Sequence, residues 1–183
     1  MNPLTDNAIM LKVKNGDLDK LGLLFERHHR SLFGFLFHMT GQRELSEDLV
    51  QNVFYRILKY KHTFRGDGEF KTWMYHLARN VVNDNGRALK RTIKHQEVTN
   101  LAEEIGGGFA ADESIHKKQE LALLKNAMEN LHPESREILI LSKFQELKYH
   151  EIATIMDITE GAVKVRVHRA LNQLKNVYLQ IAN

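Results

Sequence analysis

Apolar side chains recur along this chain at helical spacing, and no stretch of useful length alternates as a strand would. Thr5 to Val13 predicts a short first helix, stopped by Asn15 and Gly16. Asp17 or Asp19 can then cap a second helix, whose stripe is Leu21, Leu24, Phe25, Leu32, Phe33, Leu36 and Phe37, with Glu26, Arg27, His29 and Arg30 on its polar side. From Glu44 to Tyr60, Leu49, Val50, Val53, Phe54, Ile57 and Leu58 share one face, opposite Asp48, Gln51, Asn52, Tyr55 and Lys59. Glycines 66 and 68 interrupt the pattern, and Lys71 to Lys94 resumes it around Trp73, Met74, Leu77, Ala78, Val81 and Val82. A later block starts near Ile115 with Leu121, Leu124, Ala127, Met128 and Leu131. Pro133 suits the first turn of the next helix, which carries Ile138, Leu139 and Leu141 inward.

Tyr149 to Lys175 holds the most informative pattern. Ile152, Ala153, Ile155 and Met156 make a short apolar face, and Asp157 and Ile158 break the period. Thr159, a good N-cap, opens a second series that buries Val163, Val167, Ala170 and Leu174. This reads as helix, tight turn, helix. The second helix turns Val165, His168, Arg169 and Asn172 outward, with Lys164 and Arg166 at the flanks. Such a face suits a DNA major groove, where Arg and Lys bind phosphate or guanine, Asn reads adenine and Val meets a thymine methyl. Taken alone it is equally the face of a solvated helix.

The pattern predicts an all-α fold of two small helical domains, residues 1–95 and 115–183, joined by residues 96–114. Charge marks the same division. Lys71 to Lys94 carries six Lys or Arg against the single acid Asp84, and with Phe70, Trp73 and Tyr75 at its start it fits a surface that grips phosphates and stacks on bases. Trp73 also lies in the apolar stripe, where large aromatics are usually packed. Residues 96–114 carry five acids and no Lys or Arg, with glycines at 106, 107 and 108, which predicts a flexible acidic linker. The net charge of +3 is too small to decide anything by itself.

Composition removes other chemistries. Without cysteine there is no disulfide or thiolate site, and none of the ten histidines pairs at i,i+3 or i,i+4, so no metal or other cofactor is expected. Glu47 and Asp48 are adjacent and point about 100° apart on a helix, poor geometry for an acid/base pair. No nucleophile, ligand set or small-molecule site stands out, so no enzyme activity is expected. The N-terminal residues do not resemble a signal peptide and no window is long enough for a membrane span, so a cytoplasmic protein without membrane insertion is expected.

Three segments, in this order around the linker, resemble the sigma-70 family of bacterial RNA polymerase sigma factors, in its extracytoplasmic function (ECF) group. SEDLVQNVFYRILKY is similar to region 2.2, with Asp48, Leu49, Gln51, Val53 and Phe54 at pattern positions. FKTWMYHLARNVVNDNGR is similar to regions 2.3 and 2.4, and LHPESREILILSKFQELKYHEIATIMDITEGAVKVRVHRALNQLK to region 4. The resemblance implies a sigma factor that binds core RNA polymerase, through the β′ clamp helices and the β flap, and directs promoter recognition, melting and initiation. It implies that Asp48, Gln51, Asn52 and Tyr55 face polymerase. Phe64, Arg65, Asp67, Phe70, Lys71, Trp73, Arg79, Asn80, Asn83, Asp84 and Arg87 would hold the opened −10 element, a flipped base included. Glu160, Gly161, Lys164, Val165, Arg166, His168 and Arg169 would read the −35 element. The acidic linker would run through the polymerase channel, and an anti-sigma factor would control the protein. Asn52 stands where the family usually has an acid, Val165 where a small polar residue is frequent, and Lys148 where Ser or Thr commonly caps a helix. Two other classes compete on the residues alone: a freestanding helix-turn-helix regulator, which would carry an N-terminal sensor of alternating strands and helices, and a helical interaction protein or enzyme, which the lack of any paired acid/base, nucleophile or ligand constellation opposes.

Overall fold

The computed structural model describes residues 4–93 and 113–182, with side chains described over 4–89 and 119–182. Every regular element among the described residues is helical. Most of the expected linker, including residues 96–112, lies outside them. The helix that follows begins at Glu113, two residues before the expected start of the second domain at residue 115.

Thr5 starts α1 (Asp6–Lys14) by accepting a hydrogen bond from the Ala8 N–H at 3.2 Å. The expected acidic cap of the next helix is not formed. Asp17 precedes a 3-10 turn, Leu18–Lys20, without a side-chain bond, and α2 (Leu21–Thr40) follows directly from that turn. Gly41, at φ 72°, closes α2 in the left-handed conformation that glycine adopts without a Cβ clash.

The core side of α2 is rotated from the expected stripe. Leu24, His28, Leu32, Phe35 and Leu36 are buried, whereas Phe25 is 40% exposed and Phe33 and Phe37 are only partly covered. A stripe of seven apolar residues is wider than one neighbour can cover. α1 takes the His28 side, where Asp6 Oδ2 lies 2.7 Å from His28 Nε2. A buried histidine with that partner is satisfied, and nothing local in the sequence marks it.

α3 (Arg43–Lys59) buries Leu49, Val50, Val53, Phe54 and Ile57, as its period predicts, and leaves Asp48, Gln51, Asn52, Tyr55 and Lys59 outside. α4 (Phe70–Ile93) lies against both α2 and α3, with Phe70, Met74, Tyr75, Ala78 and Val81 inward. Burying each such side chain contributes roughly 1.5–3 kcal/mol against a cost in chain entropy.

In the second unit, α5 (Glu113–Glu129) and α6 (Pro133–Leu139) pack on the long final helix. Pro133 occupies the first turn of α6, as predicted. Beyond it the backbone widens into a π-helical turn, Ile140–Phe144, and Ile138, Leu139, Ile140 and Leu141 are all buried. Four consecutive buried residues exceed one α-helical face, and the wide turn supplies the extra inward position. Gln145 follows, itself buried.

The two units meet. α4 packs on α7 (Tyr149–Met156), and the buried side chains of both units form one continuous cluster. The Tyr75 hydroxyl donates to Gln145 Oε1 at 2.6 Å, in the middle of this seam. Burial pushes the Tyr75 phenol up to about 12, so it remains a donor at any ordinary pH.

Candidate nucleic-acid and polymerase interface

The helix-turn-helix predicted from the 149–175 pattern is present. α7 ends at Asp157, whose φ of 54° makes the tight turn, and α8 (Glu160–Ala182) begins after Thr159, which accepts from the Ala162 N–H at 3.1 Å. Lys148 has no hydroxyl to cap α7. Its own backbone N–H instead donates to Glu151 Oε2 at 2.7 Å, half of a capping box. On α8, Val163, Val167 and Ala170 are buried and Leu174 is partly covered, while Glu160, Gly161, Lys164, Val165, Arg166, His168 and Arg169 are all exposed on one continuous outer surface. Arg166 Nη1 is 3.8 Å from Glu134 Oε2, a loose surface pair.

The residues expected at the −10 element divide among three places. Trp73, Asn80, Asn83, Asp84 and Arg87 line a cleft of about 380 Å³ between the C-terminal half of α3 and α4. Arg56, Tyr60, Thr63, His76 and Leu77 complete its wall. Asp84 Oδ2 accepts from Arg56 Nη2 at 2.8 Å and Asp84 Oδ1 lies 3.8 Å from Arg87 Nη1, so its carboxylate is paired and cationic character dominates the cleft. The sequence reading missed Arg56 and His76. His76 stands three residues after Trp73 on the same helix face, a signal visible in the spacing.

The loop from Phe64 to Phe70 is the second place. Phe64 and Phe70 are 3% and 0% exposed and pack against each other and against Trp73, with ring centroids 5.3–6.2 Å apart. In this arrangement the two phenylalanines anchor the loop and are closed to stacking on a base, while Arg65 and Asp67 are exposed. A hollow of about 220 Å³ lies inside the loop, walled by Thr72, Trp73 and His76 and bordered by Thr154 of α7.

Lys71 and Arg79 lie in the third place, the seam between the units. Lys71 Nζ donates to the Gln145 carbonyl at 3.0 Å, and Arg79 Nε donates to Glu137 Oε1 at 2.9 Å. The Glu137 side chain is only 8% exposed. Burial pushes its carboxyl up, and Arg79 opposes that shift without cancelling it. Thr72 and Glu151 add a bond at 3.3 Å. Two side chains expected on DNA are therefore engaged within the chain.

On the far side of the first unit, Asp48, Gln51, Asn52 and Tyr55 form an exposed strip along α3, with Tyr55 63% exposed. Asn52 Oδ1 accepts from Arg56 Nε at 3.1 Å, which ties the strip to the wall of the cleft. Beside it, Phe25, Phe33 and Val50 line a mainly apolar hollow of about 370 Å³. Exposed apolar surface next to a polar strip is the make-up of a protein interface. Among the described residues, no group of three or more His, Asp or Glu could hold a metal ion, and no helix is long and apolar enough to cross a membrane.

A cationic cleft in one helical unit and a helix-turn-helix in the other are the make-up of a DNA-binding protein. The family model described as Sigma-70 region 2 matches residues 24–92, and that described as Sigma-70, region 4 matches residues 121–174. Among curated relatives, the chain is 27% identical to the ECF RNA polymerase sigma-E factor of Haemophilus influenzae, over 94% of this chain and 95% of that one. It is 29% identical to the ECF RNA polymerase sigma factor SigX of Bacillus subtilis, over 84% and 80%. Among solved structures, CnrH in complex with the cytosolic domain of CnrY matches with a TM-score of 0.71 at 20% identity, covering 94% of this chain and 96% of that one. The sigma factor RpoE of Bartonella quintana, in complex with the anti-sigma factor NepR, matches at 0.69 and 22%, covering 85% and 94%.

The chain belongs to the sigma-70 family of RNA polymerase sigma factors, in its ECF group. It binds core RNA polymerase and promoter DNA, and directs promoter recognition, opening and transcription initiation.

Proposed function

We propose that the promoter is held at two sites by the residues described above, with the strip Asp48, Gln51, Asn52 and Tyr55 docked on the β′ clamp helices and the second unit on the β flap. The α8 surface from Glu160 to Arg169 reads the −35 element as duplex, phosphate contacts fixing its register and base-edge contacts its sequence. The cleft holding Trp73, Asn80, Asn83, Asp84 and Arg87, with the loop through Arg65 and Asp67, takes the separated −10 strand. Binding of unstacked bases there offsets the few kcal/mol needed to open each base step, so no catalytic group is required and the protein is not an enzyme. Polymerase works on chromosomal DNA, which supports a cytoplasmic site for this activity.

The observation that carries this reading is the gathering of Trp73, Asn80, Asn83 and Arg87 around one cleft while Lys71 and Arg79 continue the same helix into the seam. Promoter engagement then requires the units to part. The two elements lie about 25 base pairs apart, roughly 85 Å at 3.4 Å per pair. A compact body of this chain length is only about 40 Å across. Residues 1–95 and 115–183 act as the separating domains and 96–114 as the tether, which at full extension reaches about 65 Å. The structural neighbour RpoE of Bartonella quintana is bound by the anti-sigma factor NepR, which supports control of this chain by an anti-sigma factor as well.

Replacing Asn80 and Arg87 with Ala tests the −10 assignment. Opening of duplex promoter should fall more than binding to a premelted fork, and equal effects on the two would oppose it.

A further inference from the structure

One face of α1 is turned toward the Phe64–Phe70 loop, and nothing in the proposed DNA contacts uses it. Asn7, Leu11 and Lys14 are spaced i, i+4 and i+7 and so lie in a row along the helix. The Asn7 side chain bonds twice: Nδ2 donates to the Gly68 carbonyl at 2.8 Å, and Oδ1 accepts from the Phe70 N–H at 2.7 Å. The second bond satisfies one of the four N–H groups that the start of α4 leaves without a helical partner, so Asn7 serves as a cap from 63 residues away. Lys14 Nζ donates to the Phe64 carbonyl at 2.6 Å, at the loop's other end. Between them Leu11 covers Gly66. A Cβ built at Gly66 would lie 3.4 Å from the Leu11 methyl carbons, and the φ of +82° there already favours glycine.

The other faces of α1 hold it rigidly. Ile9, Met10 and Val13 are fully buried, and Asp6 accepts from Arg27 Nη1 and meets His28 Nε2, both at 2.7 Å. A fixed helix thus touches the beginning, middle and end of a seven-residue loop. The exposed Arg65 and Asp67 and the hollow beside Trp73 stay open for a ligand.

We propose that Asn7, Leu11 and Lys14 are positioning residues that hold the loop in its strand-receiving shape before DNA arrives. Promoter opening then depends on a helix that does not contact the promoter. The physical basis is conformational entropy. A loop already ordered in the free protein does not have to be ordered at the moment of base capture, and that saving appears in the opening step. The inference rests on the proposed −10 role of the loop.

The test uses the full chain in holoenzyme with core polymerase, on a duplex carrying a start site mapped with the wild-type protein. For Asn7→Ala and Lys14→Met, the affinity of the initial closed complex should be unchanged and the rate of its conversion to the open complex should fall about tenfold, the equivalent of about 1.4 kcal/mol. Asn7→Asp keeps the acceptor for the Phe70 N–H and loses the donor to Gly68, so it should fall between Asn7→Ala and wild type. Hydrogen exchange in the free variants should quicken over residues 64–70 while the melting temperature holds. Trp73→Ala is the control for the underlying reading. If it slows opening and the α1 variants do not, the brace is refuted and the −10 assignment stands; if neither slows opening, the −10 assignment itself is refuted. A general loss of stability and polymerase binding in both α1 variants would make these contacts structural and overturn the proposal.

Discussion

Tyr75→Phe removes one oxygen from the seam between the units and leaves nearly everything else in place. The ring keeps its edge-on contact with Phe35, at a centroid distance of 5.4 Å, and the first unit keeps its core. Gln145 Oε1 loses the hydroxyl that donates to it at 2.6 Å, at a buried site. A buried acceptor left without its donor costs about 1–3 kcal/mol. Opening the units lets water satisfy that oxygen, so the cost falls on the packed arrangement alone. The ratio of open to packed molecules should therefore rise about 5- to 150-fold. The chain has no cysteine, so His62→Cys and Asn176→Cys, both at exposed positions, give specific sites for a dye pair across the two units. Energy transfer in the free protein should fall in the Tyr75→Phe background. A double-mutant cycle with Gln145→Ala should show a coupling of at least about 1 kcal/mol between the two positions. Unchanged transfer together with additive effects of the two substitutions would refute the reasoning.

Asp48→Lys should abolish binding to core polymerase, followed by fluorescence anisotropy, with the melting temperature unchanged because the side chain is exposed. Arg166→Ala should weaken binding to duplex containing the −35 element and lower the slope of log affinity against log salt by about 1; stability should hardly move, since the 3.8 Å pair with Glu134 is exposed on both sides. Glu137 adds a pH dependence of the less usual sign. Its carboxyl is held above the ordinary glutamate range by burial, so the packed chain binds a proton that the unfolded chain has released. Its contribution to stability is fully present below the ordinary glutamate pKa and is lost as pH rises through the raised value. Chemical denaturation of Glu137→Gln should lack this part of the wild-type pH profile.

The elements that the sequence made legible are those whose pattern is local. The buried and exposed faces of α3 follow from its period, and the turn at Asp157 with the Thr159 cap follows from residues within one helical turn of each other. The outer surface of α8 emerged for the same reason. Features set by distant neighbours did not. His28 is inside because Asp6 meets it from α1, and Phe25, which touches Phe54 of α3 edge-on at 4.9 Å, stays half-exposed at the rim of the hollow it shares with Val50. Phe64 and Phe70 are aromatic residues in a basic, glycine-broken loop, which suggests stacking on bases. They are buried because Trp73 packs on them and α1 grips the loop's backbone. Glu137 and Gln145 are polar residues in an apolar stretch, and only the arrival of Arg79 and Tyr75, 58 and 70 residues away, makes their burial affordable. The division of the expected −10 residues between an open cleft and a closed seam follows from the same long-range packing.

On the proposed reading, this chain directs core polymerase to promoters through two DNA surfaces. The most direct measurement combines the purified chain with core polymerase lacking sigma and a library of linear genomic fragments, and maps the 5′ ends of the transcripts. Starts should cluster downstream of a shared pair of −10 and −35 sequences, and they should vanish with Asp48→Lys. A stable complex that starts nowhere above the background of core enzyme alone, or no complex at all, would contradict the account.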